Sequence, residues 1–207
     1  MKKKKYILLE SQYFPNLEYF TILKNHENIL INHSSLYKKQ TYRNRCEILG
    51  ANGKINLSVP ILTSNNVKIM KDMKIDYSEN WINIHSRSLQ SSYGKSPFFI
   101  YYKDQIMNCL NLRHNFLIDL NHDLLTLLCS FVDLDNNFKF LEEKDSKSFI
   151  FDNYSMIVNP KSYYSSRNIY FSSIYKHVFG KEFVPNLSVL DLLFSEGPNS
   201  SEIINNS

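Results

Sequence analysis

A chain of 207 residues, of which 43% are hydrophobic, is long enough to bury a core and fits one domain, or one domain with an appended lobe. The net charge of +4 is weak evidence for an anionic partner, because the lysines belong to a composition that is also rich in Asn, Ile, Tyr and Phe. The three cysteines form no C-x-x-C pair, which argues against a disulfide framework and a zinc site and favours a reducing cytoplasm.

No part of the sequence predicts a membrane span. The chain has no run of the ~18 or more apolar residues that a spanning helix needs. Lysines precede a short apolar run at the N-terminus, and that run ends at Glu10, which is too soon for an export signal. We therefore expect a cytoplasmic protein.

The predicted elements begin with a strand, a helix and a second strand. Residues 6–9 form a short apolar run, residues 16–23 carry apolar side chains at helical spacing, and residues 28–32 contain a second apolar run. This order favours a parallel strand-helix-strand unit. Residues 46–49 and 55–59 then flank the sequence Gly-Ala-Asn-Gly, which predicts a hairpin with a loop slightly longer than the tightest type.

The middle of the chain predicts a helical layer. Ser78 or Asn80 caps a helix that contains Trp81, and a second helix begins near residues 96–97 with proline at its favoured first position. A longer helix covers residues 113–131, whose leucines form a stripe typical of a core-facing helix. The predicted fold class is α/β, a small mixed sheet that opens with the strand-helix-strand unit and the hairpin, plus a mainly helical middle layer.

The last third has weaker patterns. Residues 133–145 predict a short strand followed by an exposed loop, and residues 155–168 have so little pattern that a lid and a mobile loop both remain open. A short capped helix covers residues 188–197. Residues 199–207 are polar and predict a disordered tail, so the single expected domain covers residues 1–198.

Two arginines, Arg43 and Arg45, stand one residue apart ahead of the hairpin, with Tyr42 and Asn44 beside them. In an extended segment the two arginine side chains point to the same face. Neighbouring guanidinium groups repel each other and favour a shared anion, and their planar forks suit a phosphate or a carboxylate. These four residues are therefore candidate ligand-binding residues. The alternative is a solvated basic edge strand.

His85 is the candidate for proton transfer near neutral pH, and Arg87, on the same predicted helix, is a candidate for holding a substrate anion. A lone histidine beside Trp81 is more often structural, and no carboxylate is adjacent in sequence to orient it. The structural alternative therefore stays open.

Two further polar positions lie near the predicted last helix. Asn186, between two apolar residues, needs a backbone partner or a ligand, and it is a candidate ligand-binding residue with a turn-stabilising role as the alternative. Ser188 and Asp191 have the spacing of a nucleophile and its carboxylate, but Ser-x-x-Asp before an apolar run indicates a helix cap instead.

The common nucleotide, metal and hydrolase motifs do not occur in the sequence. His114 and His122 are two helical turns apart, too far for a close metal pair. No cofactor and no metal site is therefore predicted. Lys38 and Lys39 join Tyr42 and the two arginines in one basic aromatic cluster, which is poor evidence for nucleic-acid binding and leaves RNA as the weakest alternative partner.

Several of these stretches form a recognisable set. In chain order they are Tyr13-Phe14-Pro15 with Tyr19-Phe20, Thr41-Tyr42-Arg43-Asn44-Arg45, Asn80-Trp81 with His85, Ser96-Pro97-Phe98-Phe99, and Phe183 to Pro198. With these segments the chain resembles the WbqC-like family over residues 7–198, in a form found in Bacteroidota. The resemblance implies a cytoplasmic bacterial protein, and some relatives are encoded among genes for surface polysaccharides. It supplies no reaction and no catalytic residue.

The sequence departs from the family pattern at two places. The family usually opens with Gln-Pro, where this chain has Glu10 and Ser11, and it has a glycine before the Tyr-Phe pair, where this chain has Glu18.

Together these observations lead to a functional hypothesis. Tyr13 begins a loop at the carboxyl end of the first strand, where open α/β sheets bind ligands. If the arginine pair lies near that loop, it clamps a phosphate of a nucleotide sugar or another phosphorylated small molecule, with His85 as the proton-transfer group of a transferase-type enzyme. The alternatives are a non-catalytic binding or assembly protein and, third, an RNA-binding module. The oligomeric state is not predicted.

Overall fold

The structure is a computed structural model that describes residues 5–62, 69–135, 138–141, 149–180 and 182–207. The exposed loop predicted within residues 142–145 lies outside these residues.

The elements alternate between strands and helices at the start and become mainly helical in the middle. In chain order they are β1 (Lys5–Glu10), α1 (Leu17–Asn25), β2 (Ile29–Asn32), β3 (Arg45–Gly50), β4 (Gly53–Ser58), α2 (Trp81–Tyr93), α3 (Phe99–Asn111), α4 (Leu117–Phe131), β5 (Phe138–Leu141), β6 (Ile150–Asn153), α5 (Val189–Glu196) and α6 (Ser200–Asn205). None of the helices in the described ranges is long and apolar enough to cross a membrane.

Four strands form a parallel sheet in the order β5-β2-β1-β6. The predicted strand-helix-strand unit is confirmed, because β1 and β2 pair in parallel with Ile7 opposite Ile29 and α1 connects them. The two faces of the sheet are both apolar. Ile7 and Leu9 face the main core, whereas Leu8 and Leu30 belong to a smaller apolar cluster.

The predicted hairpin is confirmed as a separate antiparallel sheet of β3 and β4. Gly50 pairs with Gly53, so the loop contains only Ala51 and Asn52, and the prediction of a longer loop is wrong. Gly53 has φ of 106°, a conformation that glycine adopts without steric cost and that allows this tight turn. The α/β class is confirmed, with the parallel strands and the hairpin in two sheets rather than one mixed sheet.

The helical layer is formed by α2, α3 and α4. The stripe on α4 is confirmed, because Leu117, Leu120, Leu124 and Leu128 are fully buried. This helix begins four residues later than predicted, since Arg113 has a left-handed backbone with φ of 53° that an α-helix does not contain.

The C-terminal region is more ordered than the sequence indicates. The predicted capped helix is α5, where Ser188 Oγ accepts a hydrogen bond from the backbone N–H of Leu190. A disordered tail is predicted for residues 199–207, whereas the structure has a short 3₁₀ turn at Gly197–Asn199 followed by α6. The helix is held by an apolar contact, because Ile204 is buried in the main core although the surrounding residues are polar.

Candidate functional site

The strand order places a ligand-binding position at one point of the parallel sheet. From β1 the chain passes through α1 to β2, and β5 then lies on the outer side of β2, whereas β6 returns to the opposite side of β1. The direction of strand addition therefore reverses between β1 and β6. Open α/β sheets bind ligands in the crevice at the carboxyl ends of the strands on either side of such a reversal.

A small cleft of about 10 Å³, with room for about one water molecule, lies at this position, and we call it the switch-point cleft. Residues that follow β1 form one wall, residues that follow β6 form another, and the turn ahead of β3 forms the third. The lining residues are Glu10, Gln12, Thr41, Tyr42, Arg43, Ser155, Met156, Val158 and Asn159.

A buried ion pair forms the polar part of the cleft. Arg43 Nη2 lies 3.0 Å from Glu10 Oε2, and the two side chains are only 4% and 5% exposed. Ser35 Oγ donates a hydrogen bond of 2.6 Å to the same carboxylate oxygen, and Arg43 Nη1 donates one of 3.3 Å to Thr41 Oγ1. Burial raises the pKa of Glu10 above its usual value, although the Arg43 charge acts in the opposite direction.

Two buried polar atoms of the cleft residues have no hydrogen-bond partner among the residues that the structure describes. They are Arg43 Nε and the side-chain oxygen of Gln12, whose amide nitrogen donates to the carbonyl of Val158 at 3.3 Å. An unsatisfied buried polar group costs about 1–3 kcal/mol, so its retention needs a reason, and a functional role is one such reason.

The walls of the cleft are held together by hydrogen bonds across the chain. Asn121, on α4, donates from Nδ2 to the carbonyl of Arg43 at 2.8 Å and to Ser11 Oγ at 3.0 Å. The backbone N–H of Tyr13 donates to the carbonyl of Tyr42 at 2.9 Å. The loop after β1 and the turn that carries Arg43 are therefore fixed to each other.

The two candidate arginines do not share a face. Residues 41–44 form a turn and the strand begins at Arg45, so the extended segment assumed from the sequence is wrong. The turn directs Arg43 inward to Glu10, which needs a cation because it is buried. Arg45 remains partly exposed and donates from Nη2 to the carbonyl of Gln40 at 2.9 Å. Asn44 accepts a hydrogen bond from Tyr37 and donates one to the Val59 carbonyl.

His85 lies inside the protein with both ring nitrogens occupied. Its Nδ1 is 2.8 Å from the hydroxyl of Tyr13, which is fully buried, and the ring also bonds to the backbone of Ser58. Burial lowers the pKa of His85 to about 4, so the ring is neutral at pH 7. This is the arrangement of the structural alternative. Arg87 is exposed on α2 and lines neither the cleft nor the groove described next.

A groove of about 270 Å³ adjoins the cleft, and Tyr42 and Asn159 line both. We call it the tyrosine groove. Its lining residues are Tyr42, Glu47, Lys54, Asn159, Pro160, Ser162, Tyr163, Tyr164, Arg167, Val184, Pro185 and Asn186. Residues 155–168, for which the sequence left a lid and a mobile loop open, therefore supply walls of both cavities.

A second buried ion pair belongs to this groove. Arg167 bonds to both carboxylate oxygens of Glu18, with Nε 2.6 Å from Oε1 and Nη2 2.5 Å from Oε2, and Glu18 is fully buried. Asn186 also has a partner on Glu18, because its Oδ1 accepts from the Glu18 backbone N–H at 2.9 Å. Asn186 has thus the backbone partner that its sequence position requires, and it also lines the groove.

A third buried carboxylate, Asp191, supports the region around α5. It accepts hydrogen bonds from the hydroxyls of Tyr93 and Tyr175 and from Nδ1 of His177, at 2.7–2.9 Å. His177 Nε2 accepts from the backbone N–H of Val184, so the ring carries its proton on Nδ1 and both nitrogens are satisfied. Asp191 therefore ties Tyr175 and His177, and through His177 also Val184, to the core.

Sequence reasoning missed Glu10, Gln12, Glu18 and Arg167. A signal existed for Glu10, because a carboxylate at the end of an apolar strand is a buried charge that needs a cation. The sequence held no comparable signal for Arg167, which is separated from Glu18 by 149 residues and lies in a stretch with little pattern.

Comparisons with known proteins agree with the resemblance seen in the sequence. A model of the WbqC-like protein family matches residues 10–168. The chain is 23% identical over 233 residues to the uncharacterized protein Rv1507c of Mycobacterium tuberculosis (strain ATCC 25618 / H37Rv), with 97% of each chain covered. No solved structure matches the chain. Because the family model covers most of the sequence, the chain belongs to the WbqC-like protein family.

Proposed function

We propose that this WbqC-like protein binds a phosphorylated small molecule of the nucleotide-sugar class, with its phosphate at the mouth of the switch-point cleft, and acts on it as a transferase-type enzyme of surface polysaccharide biosynthesis. One observation carries the proposal. The Glu10–Arg43 pair lines a cleft at the carboxyl ends of β1 and β6, the position at which an open α/β sheet binds its ligands.

The charges around the cleft favour an anion. Arg43 and Arg45 both act electrostatically on the phenol of Tyr37, and Lys38 acts on the carboxylate of Glu10, so three cationic groups surround this part of the molecule. Glu10 is the one carboxylate that lines the cleft, and it is paired with Arg43. The guanidinium of Arg43 retains one N–H, on Nε, without a partner among the described residues. A planar guanidinium with a free donor suits a phosphate oxygen.

A transfer reaction also needs a group that accepts a proton. His85 is neutral, but both of its ring nitrogens are engaged inside the core. Glu10 lines the cleft, and burial raises its pKa above the usual value, which makes the carboxylate a stronger base. In the proposed reaction an acceptor hydroxyl attacks the anomeric carbon. Its proton passes to Glu10, and the bond from that carbon to the phosphate oxygen breaks with Arg43 beside the departing phosphate.

A non-catalytic binding protein is the second candidate. The specific observation that favours it is the internal partner of Arg43, because a buried ion pair also forms where no ligand binds. Binding at the cleft is common to both candidates, and only turnover separates them.

Thermal unfolding with a panel of nucleotides and nucleotide sugars tests the proposal. A ligand at about a hundred times its dissociation constant adds roughly 2.7 kcal/mol of stability and raises the melting temperature. We expect a shift in the parent and in Arg87→Ala, an exposed arginine outside the cleft, and a smaller shift in Arg43→Lys and Arg45→Ala. Equal shifts in all four proteins would contradict binding at this cleft. Loss of turnover in Glu10→Gln with binding retained would support the enzyme over the binding protein.

A further inference from the structure

We infer that the tyrosine groove is the subsite for the uncharged sugar ring of the molecule whose phosphate lies at the mouth of the switch-point cleft. This inference rests on the proposed function and adds to it the second half of the ligand. The two cavities are neighbours, because Tyr42 and Asn159 line both of them, so a ligand whose phosphate lies at the mouth of the cleft can extend into the groove.

The charges of the groove argue for an uncharged ligand part. Arg167 is held by Glu18 through two hydrogen bonds, and Lys54 is paired with Glu47 at 3.0 Å. Each of these groove cations thus already has a carboxylate partner. A phosphate in the groove would have to compete with a fully buried carboxylate for Arg167, whereas the cleft offers it an arginine with an unpaired N–H.

The polar groups of the groove suit hydroxyl groups. Asn159, Ser162 and Asn186 line the groove, and although each already bonds within the protein, each side-chain oxygen keeps a lone pair that can accept from a ligand hydroxyl. A sugar ring carries several neighbouring hydroxyls that need partners of both kinds. The volume of about 270 Å³ is close to the lower end of the range of small-molecule sites and suits a single ring rather than a larger group.

Two tyrosines supply the apolar surface that a sugar ring also needs. Tyr164 is oriented by an edge contact with the ring of Tyr170, at 5.4 Å between centroids. Tyr163 is 84% exposed, an unusual state for a large ring that has no apolar partner to cover it. The apolar C–H face of a sugar can stack on such a ring while its hydroxyls bond to the polar side chains of the groove.

The backbone of the groove is also specialised. Asn186 has φ of 57°, a left-handed conformation that is uncommon outside glycine, and its side chain is fixed on the N–H of Glu18. Asparagine tolerates this conformation better than most residues. The groove wall at Asn186 is therefore held in place by the protein itself.

Calorimetric titration with matched pairs tests the inference. The probes are UDP and UDP-glucose, GDP and GDP-mannose, ADP and ADP-glucose, and dTDP and dTDP-glucose. We expect the parent to bind one sugar nucleotide about three- to tenfold more tightly than its diphosphate, which is the contribution of one ring stacked on an aromatic side chain. Tyr163→Ala should abolish this preference and leave the affinity for the diphosphate unchanged, and Tyr163→Phe should retain it.

Tyr101→Ala is the matched control, because Tyr101 is a 69% exposed tyrosine on α3 outside the groove. Tyr163 makes few contacts at its exposed position, so the substitution should leave the fold intact, and the melting temperature checks this. A parent that binds the diphosphate and the sugar nucleotide equally, with no effect of Tyr163→Ala, overturns the sugar subsite alone. Equal weakening of both probes by Tyr163→Ala also overturns it, because the nucleobase would then be the stacked ring. Absence of binding by every probe overturns the proposed function and the subsite with it.

Discussion

The two buried glutamate–arginine pairs contain the same groups but differ in how completely those groups are bonded. Arg167 contacts both oxygens of Glu18 and donates from Nη1 to Ser162, so each of its three nitrogens has a partner, whereas Arg43 contacts one oxygen of Glu10 and its Nε has no partner in the described residues. A fully bonded pair holds parts of the chain together. An incompletely bonded pair beside a cleft retains capacity for a ligand.

The positions of the two pairs follow the same division. Glu18–Arg167 joins the first turn of α1 to a segment 149 residues later, beneath the tyrosine groove. Glu10–Arg43 lies at the carboxyl end of β1, where the strand order reverses.

The substitution with the largest expected effect breaks the fully bonded pair. Arg167→Ala leaves the carboxylate of Glu18 buried without its cation, and removing one partner of a buried pair costs about 3–5 kcal/mol. Urea unfolding measures the loss. The surface substitution Arg87→Ala should stay within about 0.5 kcal/mol of the parent. A stability of Arg167→Ala that equals the parent's would mean that Glu18 does not depend on this arginine, and the contrast between the pairs would be lost.

Acidification tests the region around the cleft through His85, whose ring bonds to Tyr13 in the loop after β1. The folded-state pKa of about 4 lies below the unfolded value of 6.5, so between these values the unfolded chain binds more protons. Stability should therefore fall as the pH is lowered from about 6.5 to about 4, by about 3 kcal/mol from this residue. The ring resonances of His85 in NMR spectra report its titration directly. A midpoint near 6.5 would show a ring that is accessible to solvent, and it would restore His85 as a candidate for proton transfer.

Breaking the incompletely bonded pair should have a smaller effect. Arg43→Ala leaves Glu10 without its cation, but this carboxyl can take up a proton because burial already raises its pKa. We expect a loss of about 1–3 kcal/mol at pH 7, the cost of an unsatisfied buried polar group. Loss of Arg43 removes a charge that lowers the pKa of Glu10, so this pKa is higher in the variant than in the parent and the variant regains stability as the carboxyl takes up a proton. The difference from the parent should therefore shrink from pH 7 to pH 5.

Urea unfolding of the parent and Arg43→Ala at both pH values measures this difference. The titration of His85 occurs in both proteins and cancels in the comparison. A loss of stability that is as large as in Arg167→Ala, or that does not change with pH, would show that the Glu10 pair is as fully bonded as the Glu18 pair.

Much of the fold follows from local patterns in the sequence. The apolar runs and the helical spacing near the N-terminus correspond to β1, α1 and β2, and Gly-Ala-Asn-Gly corresponds to the hairpin turn. The cap at Ser188 and the stop at Gly197 bound α5 as expected. These features are predictable because side-chain periodicity, caps and turn residues act within a few residues of the chain.

The candidate site was only partly predictable for the same reason. Tyr42, Arg43 and Asn186 were selected from the sequence and line the two cavities, but the direction of Arg43 depends on Glu10, a residue on another element. The disordered tail predicted for residues 199–207 has a similar cause. The helix α6 depends on the core contact of Ile204, and no neighbouring residue in the sequence indicates that contact.

The sequence by itself determined most of the elements and the parallel strand-helix-strand unit at the start of the chain. It also indicated which residues are chemically able to bind an anion. Only the tertiary structure decided that β6 lies beside β1, which creates the cleft, and that Arg43 and Arg167 each meet a buried glutamate. The physical reason is the range of the forces involved. Backbone preferences act between neighbours in sequence, whereas the need of a buried charge for a partner is met by whichever residue the folded chain brings within a few ångströms.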